Sequence, residues 1–307
     1  GRSLTALGLI LLESRQPALA VEHMEQAVEI AREVGDRVLE SRALGNLANA
    51  AAYVLRDYIS AREYYKQAQK LAVELGDRFG EGVEKANIGW VTMLLGDYET
   101  ARAELEGALS IAREVDHSYQ EIYTLLNLSA VNEAQGNVEP SEQYAVQAME
   151  LSLERGDRSG EAWSYYYLGN ALLGSGKLDE ARSAFARALQ MRAEQNQPSL
   201  AKEPLAGLIR VALADHDHAL AIQYANEVME YLANGGTLDG AEEPLRIYLA
   251  CFDALKTKHD PRCDEILAVA RDLLNAQAAR ISVVSSRRRF IDNVPWRREI
   301  MEHVAKM

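Results

Sequence analysis

The sequence predicts an all-α protein, a right-handed α-solenoid of about seven helix-turn-helix repeats with a C-terminal capping helix. Three observations carry that prediction. A small or β-branched residue recurs about every forty positions, at Ala27, Ala68, Ala108, Ala148, Ala188 and Val228. Seven residues before each stands another small one, Ala20, Ala61, Ala101, Ser141, Ala181 and Ala221, with a larger side chain between them in most copies (Met24, Tyr65, Leu105, Phe185). A fixed period of this length is the mark of stacked supersecondary units. The clearest copy, residues 161–189, has Leu168-Gly169 mid-segment, Gly176 as a breaker, and Ala181, Phe185 and Ala188 at helical spacing, so it reads as one helical hairpin. Finally, Gly35, Gly76 and Gly156 are each followed by Asp and Arg. Glycine there suits a left-handed helix end, and Asp36, Asp77 and Asp157 can accept hydrogen bonds from the next helix.

The repeats are expected at about 1–34, 37–75, 79–115, 119–155, 159–196, 199–233 and 241–276, one solenoid over 1–276, with 277–307 as a capping segment. The step from Ala27 to Ala68 is one residue longer than the rest, so repeat two should bulge its alanine-rich first helix or lengthen the turn at Arg56-Asp57. Repeats three to five turn at Gly96-Asp97, Gly136-Asn137 and Gly176-Lys177. Pro140 opens a helix in repeat four, where a missing N–H costs nothing. Repeat six places Ile209 where a small residue is expected, which predicts looser or rotated packing on repeat five. Asn234-Gly235-Gly236 breaks the chain before a divergent seventh hairpin that turns at His259-Asp260-Pro261. Divergence is expected of a terminal repeat. Pro295 then starts an amphipathic stripe, Trp296, Ile300 and Val304, that should close the end.

Composition agrees. Hydrophobic residues make up 48% of the 307, only seven are proline, and no alternating strand pattern competes with the helices. The net charge of −13 argues against nucleic acid or an anionic membrane as the main partner. From Arg280 onward seven basic side chains face three acidic ones, so the tail is positive on an acidic body. Such a tail can dock onto that body or onto a neighbouring subunit, which allows self-association, and its commoner reading is a solvated, helix-ending charge cluster. Cys251 and Cys263 match neither a metal pair nor a disulfide framework and read as small buried residues of a reducing compartment. The cytoplasm is therefore expected, since no apolar run of membrane length and no signal organisation are present. The chain lacks a starting Met and Leu7 already occupies a first-helix position, so a fragment of a longer polypeptide is expected.

Leu168-Gly169, Gly176, Ala181, Phe185 and Ala188, with Leu7-Gly8 and Ile88-Gly89 in the same first-helix place, resemble the tetratricopeptide repeat (TPR). The period is forty rather than the family's shortest form of about 34. The proline after the second helix is missing. In that family the first helices line a concave face, and the resemblance implies that Trp90, Met93, Tyr123, Leu126, Trp163, Tyr166, Asn170, Leu173 and Arg210 point into it. Tyr165 falls where the family buries a Trp. The family's carboxylate clamp for chaperone tails is not matched, because Ala86 and Leu126 stand at clamp-lysine positions. A wall of aromatics with Asn170 and Arg210 beside it suits a protein or extended peptide, although the same rings could merely pack between repeats.

The forty-residue period, the Gly-Asp-Arg junctions and the ending RRRFIDNVPWRREI look like the C-terminal repeat region of large bacterial signalling ATPases and transcription regulators. The resemblance implies a non-catalytic scaffold or sensor arm that binds a protein, peptide or inducer, with no cofactor. A free-standing adaptor for extended peptides is the rival of the same architecture. The rival of another class is a metal-dependent hydrolase using the turn Asp215-His216-Asp217-His218, but two histidines in a polar turn fall short of the three or four convergent ligands that zinc needs. Asp36 with Glu40, Asp77 with Glu81 and Asp157 with Glu161 read as charges favoured at helix starts, not as catalytic pairs. Arg287-Arg288-Arg289 and Arg297-Arg298 could hold a phosphate, but neighbouring arginines on a helix point in different directions, so both runs read as solvated surface.

Overall fold

The structure, a computed structural model, describes residues 17–306; the Leu7-Gly8 pair lies outside them. Among the described residues fifteen α-helices follow one another with no strand. Helix α1 is Pro17–Glu33, and the hairpins are α2 (Arg37–Asn49) with α3 (Tyr58–Leu75), α4 (Arg78–Leu94) with α5 (Tyr98–Glu114), and α6 (Ser118–Ala134) with α7 (Val138–Arg155). They continue as α8 (Arg158–Gly174) with α9 (Leu178–Glu194), α10 (Lys202–Ala214) with α11 (His218–Ala233), and α12 (Pro244–Lys256) with α13 (Arg262–Ala279). Helices α14 (Val284–Asp292) and α15 (Pro295–Val304) end the chain. The fold is the all-α array of helical hairpins that the period predicts. By its internal contacts the chain divides into two units, one running to Thr124 and taking in Arg280–Arg289, the other comprising Leu125–Ala279 and Phe290–Met307.

The junctions form as their sequence requires. Gly35, Gly76 and Gly156 adopt φ of 70°, 70° and 68°, and the Gly76 N–H donates to the carbonyl of Val73 at 3.1 Å. The following aspartates cap the next helices: Asp36 Oδ1 accepts from Leu39 N at 2.9 Å, Asp77 from Gly80 N at 2.9 Å, and Asp157 from Gly160 N at 3.0 Å. Each cap satisfies a backbone donor with no partner inside its own helix. The extra residue of repeat two becomes a π-turn over Ala50–Val54, where Asp57 N reaches back to Ala51 O at 2.9 Å. One inserted residue widens one turn and leaves the helices on either side in register.

The small positions lie where helices nearly touch. Ala61, Ala101, Ala181 and Ala221 are wholly buried. A Cβ at Gly89 would meet Leu105 Cγ at 2.6 Å, and one at Gly169 would meet Phe185 at 2.8 Å. Repeat four replaces this Gly-Ala pair with Ser129 and Ser141, and each hydroxyl donates to the other residue's carbonyl at 2.9 Å. Both hydroxyls are thereby satisfied in a buried place. Repeat six makes its close approach to repeat five through a different residue, the rotated packing that Ile209 leads one to expect. Gly207, two residues ahead of the expected position, brings α10 against Phe185, where an added Cβ would lie 2.4 Å from the ring, and Ile209 is fully buried.

The second unit ends on α15, which begins at Pro295 and packs on α12 and α13. Ile300 is buried, whereas Trp296 and Val304 are only half-buried. Arg297 is buried instead, with its guanidinium 4.0 Å from the Phe290 ring centre and 2.7 Å from Glu243 Oε1. Cys251 and Cys263 are buried free thiols. No described helix is long and apolar enough to cross a membrane.

Candidate functional site

In the second unit the first-helix positions of successive repeats bring charge together. Forty-residue steps from Trp163 lead to Glu203 and Glu243, from Tyr166 through Ala206 to Arg246, from Asn170 to Arg210, and from Leu173 back to Glu133 and on through Leu213 to Asp253. Arg246 Nη1 lies 3.1 Å from Glu133 Oε2, while its Nη2 bonds the other carboxylate oxygen of Glu133 and, at 3.1 Å, Asn170 Oδ1. Arg210 Nη1 donates to the same Asn170 oxygen at 2.9 Å. One buried amide carbonyl therefore holds two guanidinium groups side by side, and the carboxylate of Glu133 compensates them. The Arg246 guanidinium also lies 4.9 Å from the Trp296 ring, and Trp296 Nε1 donates to Glu243 Oε2 at 3.0 Å.

These contacts shift several ionisations. Burial alone would raise Glu133, but Arg246 and then Arg210 outweigh it and hold the carboxyl below its ordinary range. Arg210 falls to about 10 through burial and the neighbouring Arg246, and so remains charged at neutral pH. Glu203, 3% exposed, is lifted to about 8 by burial and by Glu242. Its Oε1 accepts from the backbone N–H of Glu242 at 2.7 Å and of Glu243 at 3.2 Å. Burial and Glu299 raise Asp253 to about 7. Between these groups is a cavity of about 190 Å³ lined by Glu133, Arg210, Arg246, Asp253, Trp296 and Glu299, with Leu249 and Ala250 as its apolar wall. A narrower crevice lined by Tyr166, Asn170 and Glu203 shares Arg210 and Arg246 with it.

Of the residues singled out in the sequence, Tyr166, Asn170 and Arg210 come together here. Trp163 is half-buried beside them, edge-on to Tyr166 at 5.8 Å, with the Arg192 guanidinium 4.5 Å over its ring. Leu126 is buried. In the first unit Trp90 is 6% exposed and stacks on Tyr53 at 4.5 Å, Met93 is buried, and Tyr123 is half-buried against Tyr119 at 4.6 Å. Tyr165, expected in the core, is half-buried. The turn Asp215 to His218 does not converge on a common point: Asp215 pairs with Arg182 at 2.6 Å, Asp217 caps α11 through Leu220 N at 3.0 Å, and the two imidazole rings are 6.4 Å apart. Sequence reasoning missed Glu133, Glu203, Glu243, Arg246 and Asp253, and took Trp296 for a capping residue alone. The signal for all but Trp296 was the forty-residue step itself, carried into the divergent last repeat.

The tetratricopeptide repeat model matches residues 1–73, 84–154 and 134–194, and the chain belongs to that family. No protein of curated function matches the sequence. Among solved structures, a Rap protein complexed with Competence and Sporulation Factor is 14% identical with a TM-score of 0.62, over 95% of this chain and 87% of that one. BtubC from P. vanneervenii is 20% identical with a TM-score of 0.56, over 64% of this chain and 80% of that one. A signal-transduction ATPase (STAND) with a tetratricopeptide repeat sensor, from Pyrococcus horikoshii, is 18% identical with a TM-score of 0.60, over 87% of this chain but only 41% of that one. At these identities the likeness is one of fold. The chain is thus a tetratricopeptide repeat scaffold, a fold built for protein interaction.

Proposed function

We propose that this chain is the peptide-capturing sensor arm of a larger signalling protein and is itself non-catalytic. The observation that carries the reading is the pair of guanidinium groups, Arg210 and Arg246, held on Asn170 at the wall of a cavity flanked by Trp296. Preorganised guanidinium groups recognise a carboxylate, and aromatic walls bury an apolar neighbour of it. Trp163 and Tyr166 extend this first-helix face in the second unit. In the first unit Trp90, Met93 and Tyr123 hold the equivalent repeat positions, and Leu126 opens the series in the second. A peptide occupant draws support from the fold-level likeness to a Rap protein complexed with Competence and Sporulation Factor. A larger signalling ATPase draws support from the likeness to the Pyrococcus horikoshii protein, whose repeats are described as a sensor. Selection of displayed peptides against the purified chain tests the reading. Enrichment of sequences with a carboxylate beside an apolar residue, competed by free peptide, is expected. Enrichment that survives loss of the Arg210 guanidinium would overturn it.

A further inference from the structure

We infer that Asp253, Glu299 and His303 form a site for one divalent transition-metal ion at the edge of the cavity in the second unit. Glu299 and His303 stand one helical turn apart on α15, and Asp253 comes from α12, which packs against it. His303 Nε2 lies 3.8 Å from Asp253 Oδ1 and 3.8 Å from Glu299 Oε1, and one donor atom from each residue falls within 4.8 Å of the other two. These distances are too long for hydrogen bonds and close to what a metal requires. Bonds of about 2.0–2.2 Å place neighbouring donors roughly 3–3.4 Å apart, so closing the set takes a contraction of about 1 Å. Glu299 is exposed at the end of a flexible side chain and can supply that movement.

The donor set decides the class of ion. One imidazole nitrogen with two carboxylates suits manganese, iron, cobalt or zinc better than the all-oxygen shell preferred by calcium or magnesium. Asp253 and Glu299 also line the cavity, so the remaining coordination positions open onto space rather than into the core. Two cations oppose the site. Arg210 interacts with both carboxylates from across the cavity, and Lys256 Nζ lies 3.3 Å from His303 Nδ1, on the side of the ring away from the donors. Lys256 is exposed, and binding through Nε2 requires it to turn away so that Nδ1 can carry the proton.

This inference stands apart from the peptide reading, because its probe is the metal alone. The full chain, stripped of metal by chelation, is titrated with Zn²⁺ by calorimetry and with Co²⁺ by visible absorption. One saturable site is expected. His303→Ala and Glu299→Gln should each weaken it by about tenfold or more, Lys256→Gln should tighten it, and the double variant His216→Ala/His218→Ala should leave it unchanged. Glu299 is exposed, so its substitution should leave the fold intact, and the test does not depend on the more buried Asp253. Absence of saturable binding, equal affinity in Glu299→Gln and His303→Ala, or loss of binding in the His216/His218 variant would each overturn the assignment.

Discussion

Arg246 and Glu133, 113 residues apart in the chain, meet in a two-pronged ion pair inside the second unit. Their side chains are 10% and 16% exposed. Such a pair contributes little over an apolar replacement of the same shape, yet removing one partner strands the other charge. Arg246→Met should therefore destabilise the protein by about 3–5 kcal/mol in urea denaturation. The double variant Arg246→Met/Glu133→Met should recover most of that loss. If Arg246→Met alone is neutral, the pair does not anchor the repeats it joins.

Gly207 and Gly169 both face Phe185, so α8 and α10 approach the α9 ring only because neither glycine carries a Cβ. Gly207→Ala should cost about 1–3 kcal/mol by overpacking. Trimming the ring in Gly207→Ala/Phe185→Leu should return part of it, which thermal melts of the two single variants and the double variant will show. Additive losses would mean that the contact is not the cause.

Much of this was legible before the fold was known. Ala181 and Ala221 had to be buried because the period repeats them, and Asp77 had to cap because glycine ends the helix ahead of it. The π-turn at Ala50–Val54 was visible as one surplus residue between Ala27 and Ala68. The charged cluster was not read, although Arg246 and Glu243 fall in register with Tyr166 and Trp163. Burial rules send Arg and Glu to the surface unless a partner is known. Here each partner comes from a different repeat, and the last repeat looks irregular because it carries these charges.

Where a hairpin turn lacks glycine, another residue adopts the left-handed conformation, as His216 does at φ 58° and Arg56 at φ 53°. That conformation costs an ordinary residue about 1–2 kcal/mol, partly offset by the extra freedom glycine has in the unfolded chain. His216→Gly should accordingly raise stability by about 0.5–1 kcal/mol. A lower melting temperature in this variant would show that the imidazole makes a contact worth more than the strain.

Glu203 gives the fold a pH dependence with a definite sign. Its carboxyl titrates near 4.5 when unperturbed and at about 8 in the folded protein, so the folded state holds a proton that the unfolded state releases. The resulting stabilisation is complete below about pH 4.5 and is lost as pH rises through about 8. Glu203→Gln keeps the acceptor for the Glu242 and Glu243 amides and cannot ionise. Melts across this range should show the parent protein falling behind Glu203→Gln as the pH rises. Parallel curves would mean that Glu203 is ionised throughout.

The peptide is proposed to be held on the first-helix face of the second unit by Arg210 and Arg246, at the cavity flanked by Trp296. Arg210 is only half-buried, so Arg210→Met preserves its stem and packing while removing the guanidinium. Calorimetric titration of a selected peptide into this variant, paired with its thermal melt, is the most direct test. Binding should weaken by about thirtyfold, as expected for a hot-spot residue, with the melting temperature nearly unchanged. Binding at parental affinity, or a loss of binding only in step with a loss of stability, would contradict it.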